Sequence, residues 1–136
     1  MVLFPSKTKY RKHQRRRVRG KASAGAEISF GEFGLQTLES GHLTTNQIEA
    51  ARKALTHYLK RGGKVWVRVL ADKVVTARAA ETRMGGGKGA PVAFVAPIRR
   101  GHIIFEIGGT SLEDARQALR LATFKLPIKT RFVVKQ

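Results

Sequence analysis

Cysteine is absent from the chain, so neither a disulfide framework nor a thiolate metal site can form. Acids are scarce: 9 Asp and Glu stand against 27 Lys and Arg, a formal net charge of +18. Residues 1–26 contain no acid at all, the first being Glu27. No apolar run approaches the length of a membrane span, so no membrane partner is expected. The opening Met1-Val2-Leu3-Phe4-Pro5 is too short for a signal-peptide core, and no small-residue cleavage site follows it. The segment after it is Arg-rich and acid-poor, as transit peptides are, but it lacks their serine richness and amphipathic spacing. A mature intracellular arm is the expectation.

Motifs for catalysis are missing too. A phosphate-binding loop of the G-x-x-x-x-G-K-[ST] type fails at both ends, because Gly87-Lys88 is followed by Gly89 and Thr82 stands where the first glycine belongs. The glycines also lead into an expected strand, not into a helix whose N-terminus could hold a pyrophosphate. No dinucleotide fingerprint occurs. The four histidines (His13, His42, His57 and His102) lack metal-ligand spacing. Asp72, Glu81, Glu106 and Glu113 show no pairing that sequence alone certifies, and Asp72 and Glu81 are expected to hold local Arg or Lys partners. No cofactor, metal or enzymatic activity is therefore expected.

What the chain has is positive charge and enough apolar residues, 42%, for one core in 136 residues. Three cations per acid strain a compact state by self-repulsion, and phosphates are the usual counter-charge. The basic residues form separated patches. An arm over residues 1–26 carries Lys7, Lys9, Arg11, Lys12, Arg15, Arg16, Arg17, Arg19 and Lys21, with Tyr10 and His13 as surfaces on which bases can stack. Such an arm is either loosely attracted to polyanions or orders as it threads between RNA strands. The stretch Arg83-Met84-Gly85-Gly86-Gly87-Lys88-Gly89 is a loop, because its glycines take positive φ readily and bury almost nothing. Further patches are Arg78, Arg99-Arg100, and Lys125, Lys129, Arg131 and Lys135 near the end. Charge on several faces suits an RNA that wraps the domain better than a duplex groove reader, which would concentrate it along one helix.

Residues 27–136 read as one α+β domain. Glu27–Phe30 and Leu35–Glu39 look like short strands around a glycine bend. Thr44 with Gln47 forms a capping box for a helix whose stripe is Ile48, Ala51, Leu55, Tyr58 and Leu59, stopped by Gly62-Gly63. A strand over Lys64–Leu70 places Val65, Val67 and Val69 on one face and Lys64, Trp66 and Arg68 on the other. Trp66 can stack on a base or ribose, or bury with Arg68 over its ring; the packed arrangement is the expectation. A weaker extended run, Lys73–Ala80, enters the glycine loop. Val92–Ile98 and Ile103–Ile107 read as a hairpin with a basic tip, and Pro97 argues for an edge strand. Ser111 with Asp114 caps a second helix with Leu112, Ala115, Leu119 and Ala122 inward; Leu126-Pro127 ends it before a last strand, Ile128–Val134. The pattern is two strand–strand–helix–strand halves around the loop.

Six stretches in order carry a resemblance: Lys7-Thr8-Lys9-Tyr10-Arg11-Lys12, Phe30-Gly31-Glu32-Phe33-Gly34-Leu35, Gln47-Ile48-Glu49-Ala50-Ala51-Arg52, Arg61-Gly62-Gly63-Lys64-Val65-Trp66-Val67-Arg68, Glu81-Thr82-Arg83-Met84-Gly85 and Lys125-Leu126-Pro127-Ile128-Lys129-Thr130. Over nearly its whole length the chain resembles the bacterial-type large-subunit ribosomal protein L sixteen family. The resemblance implies a hammerhead-like α+β fold in a bacterial cytoplasmic ribosome or an organellar one. It implies binding to large-subunit rRNA near the peptidyl-transferase region, contact with A-site tRNA (P-site tRNA being a further candidate), neighbouring ribosomal proteins as partners, and a role in late assembly. On the positions that match, the arm, with Arg52, Lys64, Arg68, Lys125 and Lys129, would bind rRNA, and the basic tip Arg99-Arg100 is expected to join them. Arg83 to Gly89 would face the tRNA acceptor end, and Arg83 matches an arginine hydroxylated in some bacteria. The chain departs from the family pattern at Ala71 and Val74, where prolines are usual, at Gly86, and at Val92, Ala93 and Phe94. The remaining alternatives are a free architectural nucleic-acid binder and a phosphate-handling enzyme.

Overall fold

The computed structural model describes residues 4–136, so the signal-peptide reading of residues 1–5 lies partly outside the described residues. Its elements run β1 (Phe33–Thr37), β2 (Gly41–Thr44), α1 (Thr45–Tyr58), β3 (Lys64–Val67), β4 (Lys73–Ala77), β5 (Ala90–Ile98), β6 (Ile103–Gly108), α2 (Leu112–Thr123) and β7 (Thr130–Val134). They form a mixed α/β body with a four-stranded sheet ordered β3-β6-β1-β7 and a three-stranded sheet ordered β2-β5-β4, all pairs antiparallel.

Both helices begin where local chemistry demands it. Thr44 Oγ1 accepts from the Gln47 N–H at 3.3 Å while Gln47 Oε1 accepts from the Thr44 N–H at 3.0 Å, satisfying donors that the helix leaves open. Ser111 caps α2 through the Asp114 N–H at 3.2 Å. Ile48, Ala51 and Leu55 are buried on α1, and Ala115, Ala118, Leu119 and Ala122 on α2, so the helices pack on each other and close one side of the core. Tyr58 and Leu112, expected on these stripes, are exposed. They sit at a helix end, where the partner surface has run out. The way out of α1 is also not the glycine pair alone, since Lys60 and Arg61 take left-handed φ of 50° and 63° before Gly63 does.

β6 is buried at all six positions and lies between β3 and β1, which makes it the spine of the larger sheet. Three strand expectations change around it. Residues 27–30 are not a strand: the chain crosses over β1, with Ile28 against Gly34, and its N–H groups go to a side chain of β6 instead of a partner strand. β2, unforeseen, takes residues just before α1.

β5 and β6 are not a hairpin. They belong to different sheets, and the buried Thr37 at the end of β1 holds the corner between them. Its backbone N–H donates to the His102 carbonyl, its hydroxyl donates to the Arg99 carbonyl, and its own carbonyl accepts from the Gly101 N–H. The hairpin is β4–β5, closed at Ala77 and Ala90, and the glycine loop is its tip. Pro97 therefore sits in a middle strand, tolerated because β4 pairing stops at Val95 and only β2 runs alongside. Since β1 of the first half joins β6 and β7 of the second, the halves interleave.

The buried core contains no residue before Phe33. Contacts from residues 4–20, such as the Phe4–Phe94 stack at 5.6 Å, are superficial. Deleting residues 1–20 is accordingly expected to leave a cooperatively folding domain, weaker by roughly 1–2 kcal/mol for a few lost hydrogen bonds. Urea unfolding checks this, and a truncated chain that does not fold would contradict it.

Candidate nucleic-acid interface

With so few acids, the question for each cation is whether the protein already neutralises it. Among the described residues three ion pairs occur. Arg52 holds Glu49 at 2.5 Å, Lys129 holds Glu39 at 3.6 Å, and Arg68 holds Glu106. The bond from Arg52 draws the Glu49 carboxyl below its usual range. Asp72 and Glu81, expected to hold local cations, have no partner within salt-bridge distance among the described residues. The other basic residues predicted to meet RNA lack a carboxylate partner there. Lys7, Lys9, Arg11, Lys12, Arg15, Arg16, Arg17, Arg19, Lys21, Lys64, Arg83, Lys88, Arg99, Arg100 and Lys125 are all exposed.

The fold gathers part of this set. Residues 4–26 of the arm form no helix or strand and run beside the three-stranded sheet, fixed largely by bonds to and from backbone groups. Lys12 Nζ donates to the Lys88 carbonyl at 2.8 Å while Lys88 Nζ donates to the His13 carbonyl, a reciprocal tie between arm and glycine loop. Val74 N–H donates to His13 Nδ1 at 3.1 Å, and Lys73 Nζ donates to the Arg16 carbonyl at 3.2 Å. Between arm and sheet lies an open groove of about 1080 Å³ whose lining includes Arg15, Arg16, Arg17, Lys73 and Lys88. His42 also faces it; burial first, and then the charge of Lys73, hold its imidazole below the usual range. At the other end of the arm, Lys21 bridges to Arg100 and the Ala22 N–H donates to the Arg100 carbonyl at 2.9 Å, so arm and corner form one basic edge. Lys9 lies over the exposed Tyr10 ring at 5.7 Å. Arg52 on α1, Lys125 beyond α2 and Lys64 on β3 lie outside this cluster.

The loop itself offers backbone and little else. Gly85, Gly86 and Gly87 have φ of 118°, 81° and 94°, and a Cβ on any of them would meet nothing within 4 Å. Their glycine identity answers to backbone conformation and not to packing inside this protein. Gly89 differs: a Cβ there would lie 2.5 Å from the Ala77 carbonyl oxygen, so it lets the hairpin close. Met84 is 91% exposed.

Sequence reasoning missed two groups. Trp66 is half-buried and stacks on Phe30 at 6.3 Å, and the cation over an aromatic ring is Arg68 over Phe30 at 5.0 Å, not over Trp66. Glu106, fully buried, accepts from Ser29 N–H at 3.0 Å, Phe30 N–H at 2.6 Å and Gly31 N–H at 2.9 Å, besides its bond with Arg68. The signal was present: an acid inside the apolar run Ile103-Ile104-Phe105-Glu106-Ile107 needs several donors to be tolerated there. Burial alone pushes the Glu106 carboxyl up, but the three N–H groups and the guanidinium outweigh it and hold the carboxyl below its usual 4.5.

A small, strongly basic α/β body with exposed, unpaired cations on an arm, a hairpin tip and a corner defines a polyanion-binding protein. Comparison with known proteins makes this specific. The profile of the ribosomal protein L16p/L10e family matches residues 5–133, and the chain belongs to that family. It is 59% identical to the large ribosomal subunit protein uL16 of Trichodesmium erythraeum, over 99% of this chain and 98% of that protein. It is 58% identical to uL16c of Gracilaria tenuistipitata, over 99% and 100%, and 54% identical to uL16 of Dehalococcoides mccartyi, over 98% and 90%. The chain is a structural constituent of the large ribosomal subunit, an RNA-binding protein of translation in a cytoplasmic or organellar ribosome.

Because the Glu106 carboxyl is held low in the folded protein, its contribution is complete above the unfolded value near 4.5 and is lost as pH falls through the folded value. Glu106→Gln should cost roughly 3–5 kcal/mol at neutral pH, the range for breaking a buried ion pair. It should also flatten the fall of stability below pH 4.5. Urea unfolding across that pH range measures both; an unchanged acid slope in the variant would refute the assignment.

Proposed function

We propose that the arm and the glycine loop bind large-subunit rRNA near the peptidyl-transferase region and that the loop reaches tRNA. Residues 1–26 act as the arm and residues 27–136 as the rRNA-binding body, in the hammerhead-like arrangement of the family. Lys7 to Lys21, with Arg99 and Arg100, neutralise rRNA phosphates, while Arg52, Lys64, Arg68, Lys125 and Lys129 contribute from other faces. Arg83, Met84 and Lys88 face A-site tRNA, with P-site tRNA as the further contact, and Gly85 to Gly89 let the backbone come close. Arg83 is the candidate for side-chain hydroxylation. The protein works without cofactor or catalysis, among neighbouring ribosomal proteins, and supports late subunit assembly.

The observation that carries this reading is the loop: a hairpin tip with open space around Gly85, Gly86 and Gly87, bearing cations without carboxylate partners among the described residues. Beyond the Lys12–Lys88 tie to the arm, the tip's cations have no counter-charge among the described residues, and an external polyanion supplies one. Residues 4–26 support the same reading through the basic edge they form with the Arg100 corner.

Arg83→Ala is expected to change folding stability by roughly 0.5 kcal/mol or less, as for an exposed site. It should weaken tRNA binding by purified large subunits roughly tenfold or more, the scale of one lost charge-assisted hydrogen bond. In parallel, the full chain should stay with large subunits through a high-salt wash, whereas a chain lacking residues 1–20 should wash off. Normal tRNA binding by the Arg83 variant together with a large fall in melting temperature would overturn the reading.

A further inference from the structure

Phe30 is 60% exposed, yet its backbone and ring are both held. Its own N–H and those of Ser29 and Gly31 are bound by the buried Glu106 carboxylate, Arg68 lies over its ring, and Trp66 stacks beside it at an interplanar angle of 20°. A buried charge is thus spent on holding an aromatic ring in solvent, which lowers the stability a packed ring would supply. Next to the pair opens a groove of about 570 Å³, in the size range of small-ligand sites, lined among others by Phe30, Trp66, Lys64, Lys135 and Glu32. Glycines let its backbone pack close to the Trp66 ring and to the neighbouring strand. A Cβ on Gly108 would lie 3.2 Å from the Trp66 ring, and one on Gly63 would meet the Gly108 carbonyl oxygen at 2.6 Å. None of these residues belongs to the arm–loop cluster.

We propose that this groove is a stacking site for one unpaired nucleobase of single-stranded RNA, with Lys64 and Lys135 on the flanking phosphates. An aromatic platform with cations at its rim is what sequence-tolerant base stacking requires, and duplex bases, already stacked, cannot use it. Glu32 is placed to accept from a ribose 2′-hydroxyl or an exocyclic amino group. A protein partner is disfavoured because the rim is charged and the apolar area is a single aromatic pair. The inference rests on the RNA-binding reading above and adds a second contact face to it.

Trp66 is the only tryptophan, so its fluorescence reports on this site alone. The test titrates the full chain with a short oligoadenylate, with its abasic counterpart and with an RNA duplex of equal length. Oligoadenylate should quench Trp66, and the other two should bind without quenching. Phe30→Ala should weaken the quenching titration roughly tenfold, about 1.4 kcal/mol, while Phe30→Tyr, which keeps the ring, should restore it. Ultraviolet cross-linking in assembled large subunits should give an RNA adduct on the peptide containing Phe30 or Trp66. Equal quenching by abasic RNA, or an adduct-free groove covered by a neighbouring protein, would overturn the stacking site and leave the RNA-binding reading standing. Failure of all three probes to bind at low salt would overturn both.

Discussion

Uncompensated positive charge is the constraint under which this chain folds. With a formal charge of +18 and three ion pairs among the described residues, most cations have no internal partner. The fold meets this by separation. Apolar residues of β1, β6, α1 and α2 form a core free of arm residues, and the basic side chains are displayed on an arm, a hairpin tip and a corner, where water and salt screen them. The same arrangement leaves those cations available to a polyanion, so what limits the stability of the free protein is also what it brings to the subunit.

The acids that the chain does have are placed with effect. Glu106, in the most buried strand, converts one carboxylate into four bonds and fixes residues 29–31, Arg68 and thereby Phe30. Glu49 and Glu39 occupy Arg52 and Lys129, two of the residues predicted to meet rRNA. Any RNA contact they make is made by a side chain already engaged; the exposed Lys129–Glu39 pair is weak enough for a phosphate to compete, and the half-buried Arg52–Glu49 pair is held more firmly. The arm and loop hold each other through lysine ammonium groups on carbonyl oxygens, bonds without charge compensation that a phosphate can replace.

Local chemistry was legible in the sequence; non-local pairing was not. The capping box of α1, the Ser111 cap of α2, the buried positions Ile48, Ala51 and Leu55, and the run of β6 follow from spacing and residue type. The exposed glycine loop was equally plain. Two apolar runs separated by four residues read locally as a β5–β6 hairpin, but Thr37, more than sixty residues earlier, holds that corner and the two strands belong to different sheets. Residues 27–30 alternate like a strand, but the N–H groups of Ser29, Phe30 and Gly31 are claimed by Glu106, some 75 positions away. No local pattern encodes such a bond. Of the site, the cationic residues were readable by type, whereas the Lys12–Lys88 tie and the Phe30–Trp66 pair required coordinates.

Where the exposed cations end up in the working particle decides the function proposed for them, and a near-atomic density map of the assembled large subunit measures that directly. Ordered density is expected for residues 7–21 threaded between rRNA strands, with phosphates within about 4 Å of the arginine and lysine head groups, the range of an ion pair. The Arg83–Gly89 tip is expected to turn toward the tRNA site. An arm lying on the protein surface with its head groups in solvent, or a glycine tip facing away from RNA, would contradict the proposed function.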